Sequence, residues 1–345
     1  MSMKRINMLT AVNEALHEEM ARDERVFVIG EDVGEYGGVW LATRGLYDEF
    51  AKKDGIPDSK LPKEERWQNH LRAMDTPISE AGLTGLAVGA AMAGLRPVAE
   101  IMYMDFITAC MDQLVNQAAK AELMSGWQLE VPLTIRTAYG MGSREAAQHS
   151  QSLESWFCST PGFKVVVPSD AYEAKGLLKS CIRDNTPCIF MENRSLYDAK
   201  CEVPEEDYTI PLGKANVVTE GDQITIVSYS QGLRICKQAL KKMPNVSAEL
   251  IDLRSLVPLD METILNSVKK TGRLLIVHEA FAGFSVGSEI VRRVVEEGFD
   301  YLDAEPLVYG TVRAPMPFAG NLEDAMTITP EGVIERMKKI LTGVI

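Results

Sequence analysis

The fold is decided by the stretch PGFKVVVPSDAYEAKGLLKSCIRDNTPCIFME, residues 161–192. It opens with an apolar run, FKVVVP (163–168), and ends with another, PCIFME (187–192). The apolar residues of both runs are continuous rather than alternating, which indicates strands buried on both faces. Between them lies a helical pattern, DAYEAKGLLKSCIRD (170–184). A buried strand, a helix and a second buried strand predict a parallel sheet with helices on its faces.

The same alternation extends along the rest of the chain. Towards the amino terminus, VFVIG (26–30) and VPLTIR (131–136) predict further strands. Helices are predicted over residues 1–20, 78–95 and 111–123. A second alternating series follows towards the carboxyl terminus, with strands predicted at 223–230, 246–255 and 273–280 and helices at 231–242, after Asp260 and at 288–297.

The length of 345 residues is typical of two domains, each able to bury its own core. Residues 199–212, AKCEVPEEDYTIPL, interrupt the pattern with two prolines and an acidic cluster, which is typical of a linker. We therefore predict two α/β domains, residues 1–204 and 205–345. The polar, proline-containing segment 51–75 is predicted to form a long surface loop.

Charge and composition exclude some partners and compartments. A formal net charge of −13 argues against binding to nucleic acid or to anionic membrane surfaces. The longest uncharged apolar run, residues 81–95, is too short to span a bilayer. The amino terminus lacks the pattern of a secretory signal, and six cysteines are scattered without a CxxC pair. These features predict a cytoplasmic protein with reduced thiols.

Taken singly, the candidate functional residues have ordinary structural explanations. Glu80 suits the first turn of a helix, Phe106 suits a core, and His149 could brace a loop. Gly85 and Gly89, one helical turn apart, would allow close approach of a neighbouring helix. The neighbouring residues of HSQS (149–152) rarely face each other in the way that proton transfer requires, which disfavours a serine hydrolase. The sequence contains no Walker loop, zinc signature or GxGxxG after a strand, which disfavours the common nucleotide-binding classes.

Taken together, several motifs follow the order and spacing of one family. They are GEDVGEYGG (30–38), the segment 75–106 beginning DTPISE, DQLVNQAAK (112–120), AAQHSQSLESWF (146–157) and the opening stretch 161–192. VPLD, HEA, GFSVGSEI and MPFAGNLEDA continue the match in the second half. The chain resembles the β subunit of thiamine diphosphate-dependent 2-oxo acid dehydrogenases, a group that includes acetoin dehydrogenase. The resemblance covers nearly the whole chain and implies a transketolase-like pyrimidine-binding domain followed by a transketolase C-terminal-like domain.

The resemblance implies roles for individual residues. Glu80 matches the carboxylate that bonds N1′ of the cofactor's aminopyrimidine, where a carboxyl group in an apolar cleft can share a proton with a weakly basic ring. Phe106 matches the aromatic residue that stacks on the pyrimidine, and Glu31 and Ile78 match further cofactor-binding positions. His149 matches a histidine near the reactive carbon. It could bond the substrate carboxylate or oxyanion, or receive a lipoyl group.

The resemblance also implies partners. The family's GDG motif, which anchors the cofactor's diphosphate through Mg²⁺, is missing from this chain and belongs to a separate α subunit. The expected assembly is an α2β2 heterotetramer docked on a lipoyl acyltransferase core. Some β subunits also hold a structural monovalent cation such as K⁺ through backbone carbonyls, at positions that match Leu133, Cys181, Asp184 and Thr186. Thr186 departs from the asparagine usual at its position.

The substrate stays open among three alternatives. Pyruvate or a similar small 2-oxo acid is favoured, whereas the RT-YG pattern before AAQHSQS resembles acetoin dehydrogenases. Branched-chain enzymes tend to carry tyrosine where Gln148 stands, which disfavours that substrate. Two other classes are a self-sufficient transketolase-like enzyme, opposed by the missing GDG motif, and a noncatalytic scaffold. Retention of Glu80, Phe106 and His149 together argues against a scaffold.

Overall fold

The computed structural model describes residues 2–50, 52–53, 56–57, 60–62 and 72–342. Most of the predicted loop 51–75 therefore lies outside the described residues. The strands of the first half are β1 (Met3–Asn7), β2 (Val26–Gly30), β3 (Lys52–Lys53), β4 (Ile56–Pro57), β5 (Ala73–Asp75), β6 (Arg96–Tyr103), β7 (Thr134–Tyr139), β8 (Lys164–Val166), β9 (Cys188–Asn193) and β10 (Lys200–Pro204). Its α-helices are α1 (Met8–Arg22), α2 (Leu46–Phe50), α3 (Glu80–Met92), α4 (Ala119–Met124), α5 (Glu154–Cys158) and α6 (Ala171–Arg183).

The second half continues with strands and helices in alternation. Its strands are β11 (Asn216–Thr219), β12 (Ile224–Ser228), β13 (Ala248–Asp252), β14 (Ser255–Val257), β15 (Leu274–Phe281) and β16 (Leu307–Thr311). Its α-helices are α7 (Ser230–Lys242), α8 (Met261–Thr271), α9 (Val286–Gly298), α10 (Gly320–Met326) and α11 (Pro330–Thr342). Short 3-10 helices cover Met104–Cys110, Arg194–Leu196 and Phe299–Tyr301, and a π-helix covers Asp112–Ala118.

The two parallel sheets confirm the predicted α/β class. The first sheet has the order β14-β8-β9-β7-β6-β2-β5, and all its strands are parallel except β14. The second sheet has the order β11-β13-β12-β15-β16, and only β11 is antiparallel. Every residue of β2, β7 and β9 is buried, as their continuous apolar runs predict.

The opening stretch of the sequence forms β8, α6 and β9. Asp170 caps α6 by accepting a hydrogen bond from the Glu173 N–H at 2.9 Å. The buried face of α6 packs on α1, and both helices cover one face of the first sheet. The opposite face is covered mainly by α3 and the segment that follows β6.

Several local predictions differ from the structure, and one of them is the end of the predicted loop 51–75, where residues 73–75 form β5. Residues 3–7 form β1 rather than the start of a helix, and the predicted linker begins with β10, because these two strands pair with each other. Residues 111–123 form a π-helix followed by α4 instead of one α-helix. The close approach expected at the two glycines of α3 is found at Gly85, where a Cβ would lie 3.6 Å from Gln113 Cγ of the π-helix. It is wrong at Gly89, where a Cβ would meet no described atom within 4 Å.

A buried ion cluster joins three neighbouring strands of the first sheet. Arg136 on β7 donates to Glu192 on β9 at 2.7 and 2.9 Å and to Glu100 on β6 at 2.6 Å. Tyr197 Oη also donates to Glu192, at 3.1 Å. Removing the arginine would leave two carboxylates buried without their counter-ion.

All six cysteines are free thiols. No helix in the described ranges is long and apolar enough to cross a membrane.

Candidate active site

The predicted site residues meet at the carboxyl end of the first sheet. Glu31 follows β2 directly, Glu80 begins the helix after β5, and Phe106 lies three residues beyond β6. His149 lies in the loop that follows β7. Because neighbouring parallel strands end at one edge, loops far apart in sequence converge there, which is where ligands bind in sheets of this type.

Two carboxyl groups face each other at this edge. Burial of Glu31 raises its pKa, the neighbouring charge of Glu80 raises it further, and the backbone N–H of Ser79 partly opposes both effects. The Glu31 Oε1 atom is buried and has no hydrogen-bond partner among the described residues. Ser79 caps α3 by accepting from the Gly82 N–H at 3.3 Å, so the helix begins at Glu80 and its carboxyl group is only half-buried.

The loops that carry these carboxyl groups are bonded to each other. Thr76 N–H donates to the Gly30 carbonyl at 2.9 Å, and Gly34 N–H donates to Asp75 Oδ1 at 2.6 Å. A Cβ on Gly34 would lie 2.6 Å from the Asp75 carboxylate, so this position requires glycine. Ile78 stands beside the pair with 85% of its surface exposed, which is unusual for a large apolar side chain.

Aromatic rings surround His149. Its imidazole meets the Tyr103 ring edge-on at a centroid distance of 4.8 Å and the Phe106 ring at 5.3 Å. Phe106 is half-buried, so part of its surface is free at the sheet edge. The three rings form one cluster, because Tyr103 and Phe106 also contact each other at 5.8 Å.

The loop of residues 140–153, here called the His149 loop, is tied to the sheet and is strained. Gln151 donates to Asp105 Oδ1 through its side chain at 2.8 Å and through its backbone N–H at 3.3 Å. Gly140 starts the loop with φ +98°, and its Cβ position is blocked by Asn193. Arg144 and Ala146 both adopt φ +60°, a left-handed conformation that costs a residue other than glycine about 1 kcal/mol or more.

Sequence reasoning missed three residues of this site, namely Tyr103, Asp105 and Arg194. Tyr103 and Asp105 belong to the motif that contains Phe106, where the aromatic ring alone drew attention. Arg194 lies in a weaker motif, MENRS, but directly after a predicted parallel strand. Position at a strand's carboxyl end was therefore the available signal.

The four positions matched to a cation site lie at the opposite, amino-terminal edge of the sheet, before β7 and β9: Leu133, Cys181, Asp184 and Thr186. Their carbonyl oxygens already accept hydrogen bonds. Cys188 N–H donates to the Leu133 carbonyl at 2.8 Å, and Asp184 N–H donates to the Cys181 carbonyl at 3.2 Å. Arg96 Nη1 lies 2.9 Å from both the Ile182 and Asp184 carbonyls. A guanidinium group thus supplies positive charge at this place.

A cavity of about 430 Å³ lies behind the His149 loop, between the two domains. Ser150, Ser152, Glu279 and Arg313 contribute polar groups to its lining. Glu279 is buried and is bonded by the side-chain amide of Asn193 at the end of β9. Burial raises the pKa of Glu279 to about 7. In the described part of the chain, no group of three or more His, Cys, Asp or Glu side chains is placed to hold a metal ion.

Comparisons with known proteins agree with this architecture. Residues 4–200 match the family model "Transketolase, pyrimidine binding domain", and residues 213–333 match "Transketolase, C-terminal domain". A solved structure titled "Split gene transketolase, inactive beta4 tetramer" aligns with a TM-score of 0.74 at 20% identity and covers 98% of both chains. A transketolase of Pichia stipitis aligns with a TM-score of 0.68 at 15% identity, covering 99% of this chain and 46% of its own. Both domains are therefore of the transketolase type.

Curated relatives are closer in sequence. The β subunit of acetoin:2,6-dichlorophenolindophenol oxidoreductase from Bacillus subtilis is 42% identical, with 97% of each chain covered. The pyruvate dehydrogenase E1 component subunit β of Rickettsia bellii is also 42% identical, with 97% of this chain and 98% of its own covered. The chain belongs to the family of dehydrogenase β subunits that contains these two proteins, as the sequence motifs predict.

Proposed function

We propose that this chain is the β subunit of the thiamine diphosphate-dependent decarboxylating component of a 2-oxo acid dehydrogenase complex. It would act with an α subunit to decarboxylate a small 2-oxo acid, with pyruvate favoured, and to acylate a lipoyl domain. One observation carries the proposal: Glu31, Glu80, Phe106 and His149 come from four separate segments at the carboxyl edge of one sheet, where Glu31 lies near Glu80 and Phe106 contacts His149. The membership of the dehydrogenase β-subunit family supports it.

The site fits the aminopyrimidine end of the cofactor. A flat, polar ring needs a carboxyl partner for its nitrogen and an apolar or aromatic wall. The half-buried Glu80 and Phe106, the unpartnered Oε1 of Glu31 within the described chain, and the exposed Ile78 provide such groups. When bound, thiamine diphosphate would supply an acidic carbon as nucleophile and an electron sink for the negative charge that decarboxylation leaves.

Glu80 would hold a proton at the ring nitrogen N1′. Its partner Glu31 keeps its own proton to higher pH than an ordinary glutamate, because burial and the charge of Glu80 both raise the pKa of Glu31. Glu80 would share a proton with the ring, and the surroundings of Glu31 disfavour a negative charge on that carboxyl. We assign proton coupling to Glu80 and positioning of the cofactor to Glu31, Ile78 and Phe106.

His149 would act on the substrate side of the site. Its ring is held edge-on between two aromatic rings, which fixes the direction of its nitrogens. From that position it can hydrogen-bond the substrate carboxylate or oxyanion, or an incoming lipoyl group.

The proposal requires a partner subunit. The sequence lacks the GDG motif that would anchor the diphosphate through Mg²⁺, so we assign both the motif and most of the Mg²⁺ ligands to an α subunit within an α2β2 assembly. Large apolar side chains are exposed on and near α3 and α4: Ile78 at 85%, Met124 at 80%, Trp127 at 72% and Leu86 at 47%. Such a surface favours burial against another chain. Docking on a lipoyl acyltransferase core follows from the same proposal.

The proposed function does not require K⁺ at the amino-terminal edge of the sheet. Arg96 Nη1 lies at hydrogen-bond distance from the carbonyl of Asp184, which is one of the four matched positions, and from the carbonyl of Ile182, which is not. We therefore assign the positive charge at that edge to Arg96.

Acetoin is the second candidate substrate, because the acetoin oxidoreductase relative is as similar as the pyruvate dehydrogenase relative. The deciding experiment co-purifies this chain with its α subunit and assays pyruvate, branched-chain 2-oxo acids and acetoin in parallel, with thiamine diphosphate and Mg²⁺ present. We expect the highest kcat/KM with pyruvate. Highest activity with acetoin would select the alternative. Activity of this chain alone, or no cofactor-dependent turnover with any substrate, would overturn the proposal.

A further inference from the structure

Arg194 directly follows β9, and it contacts the His149 loop at three points. It is 7% exposed. Its Nη2 donates to the Gly140 carbonyl, where the loop begins, at 2.8 Å, and also to the carbonyl of His149 itself. Its Nη1 pairs with the carboxylate of Glu145 in the middle of the loop. One guanidinium group thus holds three points of a ten-residue segment (140–149).

The same guanidinium also contacts the aromatic cluster. Its central carbon lies 4.9 Å from the centroid of the Tyr103 ring, and this ring is the one that meets the His149 imidazole edge-on. Tyr103 Oη lies 3.4 Å from Glu145 Oε1. Arg194 therefore fixes the backbone of His149 directly and its side chain through Tyr103.

The loop needs such support, because its own backbone favours another conformation. Arg144 and Ala146, within the span that Arg194 encloses, both have φ +60°. Left-handed residues other than glycine persist only where surrounding contacts hold them. Burying an arginine is itself costly, and its pKa is lowered chiefly by desolvation. The contacts with the loop offset part of that cost.

We propose that Arg194 is a positioning residue that sets the orientation of the His149 imidazole in the active site. The inference rests on the proposed function only in assigning His149 a role in the reaction; its structural part stands without it. A lysine would not substitute fully, because a single ammonium group lacks the planar fork that reaches two carbonyls and a carboxylate together.

The structural test uses the full chain and the fact that it contains four histidines. Histidine labelled at Cε1 gives few NMR signals, and a His149→Asn variant identifies the one from His149. In Arg194→Met we expect that signal to shift and to split or broaden, as the ring samples several orientations. The matched control is Arg234→Met, which removes an exposed arginine that donates to the Ser195 carbonyl at 3.0 Å, next in sequence to Arg194. The control should keep the wild-type signal.

The kinetic test uses the same variants in complex with the α subunit. Misplacing a reacting group by about 1 Å can cost up to about 100-fold in rate, so Arg194→Met should lower kcat by about 10- to 100-fold with little change in KM. Arg194→Lys should recover only part of this loss. If Arg194→Met does not fold, the double variant Arg194→Met/Glu145→Gln removes the unpaired buried carboxylate and replaces it in both tests.

The outcomes separate the two proposals. An unchanged His149 signal together with wild-type kcat in a folded Arg194 variant would overturn the positioning role. A changed signal with unchanged kcat in an active complex would also overturn it. If the wild-type complex turns over none of the substrates, the proposed function fails, and the NMR result still decides whether Arg194 orients the ring.

Discussion

The carboxyl ends of the two parallel sheets face different surroundings, although both sheets are built from the same alternation of strand and helix. At the first sheet, Glu80, Phe106 and His149 are only half-buried, and Ile78 is exposed. At the second sheet, the corresponding residues are buried against the first domain. Tyr229, which follows β12, donates to Glu154 at 2.7 Å, and Ser230 N–H donates to Ser169 at 2.7 Å.

This difference shows why two similar sheets in one chain are expected to have different roles. Parallel strands bring polar side chains together at their carboxyl ends in both sheets. The first sheet leaves several of these groups partly accessible. The second uses them for contacts between domains, including Glu279 with Asn193 and Arg254 with Glu173 at 2.7 Å. Which sheet can hold an active site therefore depends on what covers its carboxyl end, and the fold alone does not decide this.

The largest expected effect tests the accessible carboxyl end of the first sheet, here called the open end. Glu80→Gln keeps the shape of the side chain but removes its ability to exchange a proton with the cofactor ring, so turnover of the complex should fall by about 10²- to 10⁴-fold. The melting temperature of the chain and its binding to the α subunit should stay close to wild type. Glu24→Gln, an exposed change far from the site, serves as control. Activity within a factor of two of wild type would contradict the assignment of Glu80.

The next prediction tests the carboxyl end of the second sheet, which is covered by the first domain. The pKa of Glu279 is raised to about 7 by burial, so the folded state favours the neutral carboxyl group. Its contribution to the free energy of unfolding is fully present below about pH 4.5 and is lost as the pH rises to about 7. Over that range the loss is at most about 3 kcal/mol. Glu279→Gln should remove this loss.

The measurement is urea unfolding of wild type and variant at intervals from pH 4.5 to 8. The variant should gain stability relative to wild type as the pH rises, and the gain should level off above about pH 7. Glu289→Gln, at a surface pair with Arg292, is the control and should leave the slope nearly unchanged. If the free energy of unfolding of Glu279→Gln changed with pH as it does in the wild type, Glu279 would be ionised in the folded protein.

A third prediction concerns what covers the open end. Leu86 on α3 is 47% exposed, so Leu86→Glu should leave the isolated chain folded but place a charge in the proposed α-subunit contact. Binding to the α subunit should weaken by about 30- to 100-fold, as for a central interface residue. Val217→Glu, a change of the same kind at 41% exposure on β11, should bind normally. Calorimetry or surface plasmon resonance gives both affinities, and equal values would place the interface elsewhere.

The smallest effect is expected at the amino-terminal edge of the first sheet. Since Arg96 already donates to the Asp184 carbonyl, exchanging Na⁺ for K⁺ at equal ionic strength should shift the melting temperature by less than about 1 °C. In Arg96→Met, two carbonyls lose their hydrogen-bond donor. K⁺ should therefore raise the melting temperature of this variant by more than it raises that of the wild type. A shift of several degrees in the wild-type chain would restore the cation to the site.

The sequence predicted the fold well where local signals and long-range contacts agree. Continuous apolar runs located β2, β8 and β9, since strands buried on both faces have no polar period. It failed at β1 and β10, because each of these edge strands exists through pairing with a partner almost 200 residues away, which no local pattern shows. It failed at Gly89 because a small residue indicates room for contact without saying whether the partner is in the same chain.

For the site, motifs predicted which residues belong together, and the structure shows how they are supported. Glu31, Glu80, Phe106 and His149 belong to long motifs and were all selected from the sequence. Arg194 was not, because its contacts with Gly140, Glu145 and His149 depend on the side-by-side arrangement of β7 and β9. Residues that act through others leave little trace in a single sequence.

The strand β14 has a practical consequence for engineering. It belongs to the second half of the chain, yet its pairing Ser255↔Val166 completes the first sheet. A truncation after the linker would strip β8 of that neighbour and expose a hydrogen-bonding edge to other molecules, a known route to precipitation. Hybrids made by exchanging halves between relatives should therefore transfer the segment 253–257 together with the amino-terminal half that it completes.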